Sequence, residues 1–171
     1  SAGLRVSEAV HLQDADVELK SGMLTIRRTK FAKSRQVPLH PSTTDALRHY
    51  RALRDHHVEI AEDTPFFVSM RGRRRGCGLS LRQVHQVFIG LRDQMGWNNR
   101  GAHDGPRIHD LRHAFAVQTL LDWYRAGVDV EPRLPWLSTY LGHVGPSSTY
   151  WYLTATPELI MLAHRRLEHA L

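Results

Sequence analysis

At 171 residues and 19.6 kDa the chain is long enough for a domain with its own core, and 42% hydrophobic against 23% charged residues excludes a disordered or collagen-like polypeptide. No apolar run approaches the roughly 18 residues of a membrane helix, and the first residues carry no basic head followed by an apolar stretch, so neither a membrane span nor a signal peptide is expected. The single cysteine, Cys77, excludes an internal disulfide and a multi-cysteine zinc knuckle, while 23 Lys+Arg against 17 Asp+Glu give a net charge of +6 and a pI near 10.0.

That charge implies an anionic partner, and nucleic acid is favoured because the cations are mostly clustered arginines, whose planar fork pairs with phosphate oxygens. The competing reading is a merely solubilising surface. One cysteine fits a reducing, cytoplasmic compartment.

In chain order, residues 5–12 predict a short helix, followed by a strand in which Val17 and Leu19 alternate with polar residues up to the turn signal Ser21-Gly22. Leu24 and Ile26, then Val37 and Leu39, keep a two-residue period on either side of a basic hairpin tip at 27–35. Residues 42–60 predict a helix capped by Ser42, with Ala46, Leu47, Tyr50, Leu53 and Ile60 as its stripe. Phe66-Phe67-Val68 leads into a basic loop containing Arg71, Arg73, Arg74 and Arg75, which either is solvated or touches phosphate. Ser80 and Gln83 form a capping box for a helix carrying Val84, Val87, Phe88, Leu91 and Met95 on one face and ending at Gly96. After a loop at 97–106, residues 109–125 predict a helix burying Leu111, Ala114, Phe115 and Leu121. Leu134, Leu137 and Leu141 mark another, closed by Gly142 as a left-handed cap, and a short helical turn follows Pro146. Thr156-Pro157 starts the last helix, with Leu159, Leu162, Ala163 and Leu167 as a stripe that packs either in cis or on a neighbouring subunit. No repeat or linker divides the chain, so a single domain over residues 1–171 is expected, α+β and mostly helical with a small three-stranded antiparallel sheet.

His109-Asp110-Leu111-Arg112-His113 admits three readings. Histidines four apart are the spacing of a zinc helix, but the Glu that such a motif wants is Asp110, and Arg112 would place a guanidinium beside a dication. Alternatively His109 and Arg112, at i and i+3, present a proton acceptor and a fixed cation to one anionic group. The third reading is an ordinary polar helix start.

Taken with Gly3-Leu4-Arg5-Val6-Ser7-Glu8, Lys30 before Val37-Pro38-Leu39, Leu141-Gly142-His143, and Tyr152 nine positions after His143, the chain resembles the catalytic domain of the tyrosine recombinases, or phage integrases. The motifs stand in the family's order and cover nearly the whole chain. The resemblance implies the DNA breaking-rejoining fold, double-stranded DNA as partner, a homotetramer on DNA with the fragment alone monomeric, and no metal, cofactor or ATP. It implies that Tyr152 attacks a phosphodiester to give a 3′-phosphotyrosine, that Arg5 and Arg112 hold the non-bridging oxygens, that Lys30 protonates the departing 5′ oxygen, that His109 accepts the tyrosine proton, and that His143 hydrogen-bonds the phosphate.

Lys33 competes with Lys30 for the hairpin position, and Lys33, Arg35 and the arginines of the 71–75 loop are read as DNA contacts. Tyr150 competes with Tyr152, although two residues apart on a helix cannot face one phosphate together. His113 is expected to be a surface or supporting histidine. Family members carry an N-terminal helical domain that clamps DNA, and with Arg5 so near the start the sequence reads as a catalytic fragment without it. The alternatives are a non-cutting DNA-binding module of the same fold and a metal-dependent hydrolase using His109 and His113.

Overall fold

A computed structural model describes residues 2–27, 34–59, 61, 63–97, 105–145, 147–154 and 156–170, with side chains described as far as 164. Lys30, Lys33 and Ile60 lie outside the described residues. The chain divides into two compact units, Ser1–Asp110 and Leu111–Leu171.

The first unit starts with helix α1 (Val6–Val10), which Glu8 caps by accepting the backbone N–H of Arg5 at 3.0 Å. Strands β1 (Val17–Glu18), β2 (Met23–Ile26) and β3 (Arg35–Pro38) form an antiparallel sheet in the order β1-β2-β3. The register pairs Val17 with Leu24 and Leu24 with Val37. All three are buried, so the two-residue period directs one face of the sheet into the core. Gly22 makes the β1–β2 turn possible with φ 67, a left-handed angle that other residues adopt at a cost.

Helix α2 (Pro41–Asp55) is capped by His40 rather than Ser42: the His40 ring accepts the Ser42 backbone N–H at 3.3 Å, and Pro41 occupies the first helical position, where its missing donor is harmless. The buried face of α2 also departs from the apolar stripe. Ala46 and Leu53 are exposed, whereas Arg54 is fully buried. Its guanidinium donates to Asp14 at 2.5 Å, to Asp55 at 2.8 Å and to the Phe66 carbonyl at 3.1 Å, and lies 5.1 Å from the Phe66 ring centroid. A charge can enter this core only because every direction it faces supplies an acceptor or an aromatic face.

Helix α3 (Leu81–Gln94) begins at the expected capping box, with Gln83 N–H donating to Ser80 Oγ at 3.3 Å and Ser80 N–H to Gln83 Oε1 at 2.9 Å. Its apolar stripe is aligned as expected but is not a core face: Val87, Leu91 and Met95 are exposed, and Val84 and Phe88 only half-buried.

The second unit holds nearly all of helix α4 (Asp110–Arg125), then α5 (Leu134–Leu141), α6 (Ser147–Tyr150), a 3-10 turn over Trp151–Thr154, and α7 (Pro157–Ala170). On α4 the buried positions are Arg112, Ala116, Leu120 and Leu121, so the buried stripe follows i, i+4, i+8 from Arg112. Leu111 and Ala114, expected inside, are exposed because that stripe turns their side of the helix outward. Leu134, Leu137 and Leu141 are buried as expected, and Gly142 ends α5 at φ 70, ψ 41. Helix α7 starts with Leu159 N–H donating to the Thr156 hydroxyl at 3.2 Å, while Leu159 itself joins the core formed by Ala116, Leu120, Leu134, Leu137 and Leu141. Its first turn therefore packs in cis, with Arg125 paired to Glu158 at 2.6 Å across the surface.

Candidate active site

Tyr152 is 3% exposed, lying in the 3-10 turn that follows α6. Tyr150, two positions earlier, is exposed with Trp151. The two tyrosines therefore point to different surroundings, and only Tyr152 joins the histidines described below. Its hydroxyl is hydrogen-bonded to Nδ1 of His113 at 3.1 Å, with ring centroids 5.5 Å apart. The His143 ring lies nearly parallel to the phenol, 14° between planes and 6.1 Å between centroids.

Two local devices hold His143. Gly142 in the left-handed region folds the chain back so that His143 N–H donates to the Ser138 carbonyl at 2.9 Å, and Nδ1 of the ring meets the hydroxyl of the fully buried Thr149 at 2.8 Å. Arg112 is buried and donates through Nη2 to the Leu141 carbonyl at 2.7 Å. It thereby satisfies a carbonyl at the C-terminus of α5, where a cation is also favoured by the helix dipole. The second unit thus brings Arg112, His113, His143 and Tyr152 onto three adjoining elements: the first turn of α4, the end of α5 and the 3-10 turn.

Arg5 belongs to the first unit, at the N-cap of α1, with Nη1 on Glu8 Oε1 at 2.9 Å. Arg35 approaches the same carboxylate with both terminal nitrogens. Burial acts to raise the Glu8 carboxyl, but the Arg35 hydrogen bond and the Arg5 backbone N–H outweigh it, so the group sits below its ordinary value of 4.5 and stays charged. His109 is exposed on the turn leading into α4. Lys30 and Lys33 fall outside the described residues. Arg71, Arg73 and Arg74 are exposed around a 3-10 turn at Gly72–Arg74, and Arg75, also exposed, donates to the His57 carbonyl at 3.0 and 2.5 Å.

Three supporting residues carried too little signal in the sequence. Glu8 stands within the Gly3–Glu8 motif but had no role of its own there; its partners make it the anchor of Arg5 and Arg35. Thr149 has no local pattern linking it to His143. His113 was expected at the surface or in support, and it is half-buried against the hydroxyl of Tyr152 itself. Among the described residues no group of three or more His, Cys, Asp and Glu is placed to hold a metal ion, and no helix is long and apolar enough to cross a membrane.

The model of the phage integrase family matches residues 1–158. A putative integrase/recombinase of Sinorhizobium fredii, y4rB, is 49% identical over 170 residues, covering 98% of this chain and 52% of its own length. The chain therefore spans about half the length of that relative. Among solved structures, the XerA recombinase aligns with a TM-score of 0.74 at 24% identity, covering 96% of this chain and 53% of its own. The Tn1549 transposon integrase in complex with a circular intermediate DNA aligns at 0.69 and 18% identity, covering 96% and 55%. These two likenesses establish the fold.

Proposed function

The chain belongs to the phage integrase family, and from that premise we propose that it is the catalytic domain of a site-specific DNA recombinase that cuts and rejoins strands through Tyr152. In the proposed step the Tyr152 oxygen attacks a backbone phosphorus, a P–O(Tyr) bond forms, the P–O5′ bond breaks, and phosphorus remains a diester. The phenolic proton passes to His109 and the leaving 5′ oxygen takes a proton from Lys30. Arg5 and Arg112 stabilise the non-bridging oxygens as charge builds on the pentavalent phosphorus, and His143 donates to the phosphate. A 5′ hydroxyl attacking the phosphotyrosine reverses the step, so rejoining needs no nucleotide cofactor. A neutral phenol ordinarily titrates near 10, which is why cationic and basic neighbours are required for attack near neutrality.

The observation that supports this most directly is the hydrogen bond between the buried Tyr152 hydroxyl and His113, with the His143 ring nearly parallel to the phenol and Arg112, the residue before His113, buried on the α5 terminus. Only one tyrosine of the pair Tyr150 and Tyr152 has that environment. Double-stranded DNA is the proposed substrate, bound by the basic hairpin and the 71–75 loop, with a homotetramer on DNA as the working assembly. The test is covalent trapping on nicked suicide DNA carrying the cognate site. The full-length protein should form an adduct mapped to Tyr152, Tyr152→Phe should form none while binding DNA normally, and Tyr150→Phe should behave as wild type. An adduct on Tyr150 or on a serine overturns the assignment.

A further inference from the structure

We propose that His113 is a positioning residue for the reaction: its Nδ1 is hydrogen-bonded to the Tyr152 hydroxyl and fixes the direction in which that oxygen attacks. The inference rests on the reading of Tyr152 as nucleophile, and it adds a residue to which that reading gives no role. Buried as it is, the phenol takes the orientation of its hydroxyl from its protein partner at 3.1 Å. The other nearby histidine serves a different neighbour, since Nδ1 of His143 is on Thr149 and its ring lies flat against the phenol.

The position of His113 in the chain supplies the second part of the argument. His113 and Arg112 are consecutive on the first turn of α4. One engages the nucleophile, and the other engages the Leu141 carbonyl, two residues before His143. A single helical turn therefore sets the tyrosine oxygen and the guanidinium proposed to hold phosphate at a fixed mutual offset. Attack requires alignment to within a fraction of an ångström, which a shared rigid element provides. The His113 ring is itself steadied by Trp151, 5.6 Å away between centroids.

The test exploits the geometry of the side chain. The carboxamide of Asn falls where Nδ1 of His lies, whereas that of Gln falls where Nε2 lies. In the full-length protein on saturating suicide DNA, His113→Leu and His113→Gln should slow single-turnover adduct formation about tenfold or more, with DNA affinity changed less than about twofold. His113→Asn should recover most of the rate. If Asn and Gln behave alike, or if Gln rescues and Asn does not, the proposal fails; the Asn–Gln contrast carries the test alone should His113→Leu not fold. A second readout needs no DNA. The His113 ring nitrogen signals should shift on Tyr152→Phe in the free protein, and unchanged signals overturn the proposal. Absence of any adduct in the wild type would instead sink the nucleophile reading, and the ring signals then decide on the hydrogen bond by itself.

Discussion

Glu8 receives both terminal nitrogens of Arg35, at 3.0 and 2.9 Å, one on each carboxylate oxygen. This fork ties α1 to β3, 27 residues apart, and the same carboxylate holds Nη1 of Arg5. Because these donors keep the Glu8 carboxyl below 4.5 against the opposing effect of burial, its contribution is fully present above the ordinary carboxylate range and is lost as pH falls through the lower folded value. Glu8→Gln should cost about 1–3 kcal/mol near neutrality and flatten the acid-side fall in stability. Urea midpoints measured from pH 7 down to 3 check it; identical acid slopes in the two proteins would contradict the linkage.

Arg54 is the second electrostatic anchor of the first unit. Arg54→Ala removes the common partner of Asp14, Asp55 and the Phe66 carbonyl and leaves a large void, so a loss of about 3–5 kcal/mol is expected. Equilibrium denaturation measures it, and a change within 1 kcal/mol or so would mean that water replaces the guanidinium without penalty.

The buried arginines also mark where sequence reading ends. Signals contained within a few residues were legible: the Ser80–Gln83 capping box, the Gly142 cap, the Thr156-Pro157 start and the alternation of Leu24 and Ile26 all reappear in the structure. These are governed by local dihedrals and adjacent hydrogen bonds. What was not legible depends on partners distant in the chain. Arg54 meets Asp14 forty residues away and Arg112 meets Leu141 twenty-nine away, so both cations enter cores from which composition would exclude them. The same effect rotates α4 away from the expected burial of Leu111. Of the candidate site, the order of motifs picked out Arg112, His143 and Tyr152, but the partner of the Tyr152 hydroxyl lies thirty-nine residues away and had no local signature.

Under the proposed function Arg112 performs two tasks, one in the fold and one in the reaction, that one substitution probes together. Arg112→Lys keeps the charge but not the planar guanidinium whose Nη2 reaches the Leu141 carbonyl, so it should lower stability by about 1–3 kcal/mol and slow the cleavage step more than it weakens DNA binding. Thermal denaturation and single-turnover trapping read the two effects. Equal losses in binding and chemistry would remove the transition-state role.

Leu159 closes the core of the second unit from α7. Leu159→Ala should cost about 2–5 kcal/mol, the range for deleting a fully buried leucine. A near-neutral result in denaturation would show that the first turn of α7 is not held in cis in solution.

DNA affinity should fall steeply with salt under the proposed function. Replacing the exposed Arg71, Arg73 and Arg74 together by alanine should reduce the slope of log affinity against log salt by about 2–3. Arg75→Ala should change it less, because that side chain already serves the His57 carbonyl. Binding isotherms across a salt series decide, and an unchanged slope in the triple variant would place the loop off the DNA.

Tyr152 is both a member of the hydrophobic core and the proposed nucleophile, and its ring, not its oxygen, does the packing. Phenylalanine fills that space, and the two residues are one base apart in the genetic code. Under the proposed function, a gene copy carrying that single change would still yield folded protein able to bind DNA while contributing a chemically dead subunit. Copies of the gene inactivated in that way would then act as competitors of the intact one, inherited as interfering rather than merely missing alleles.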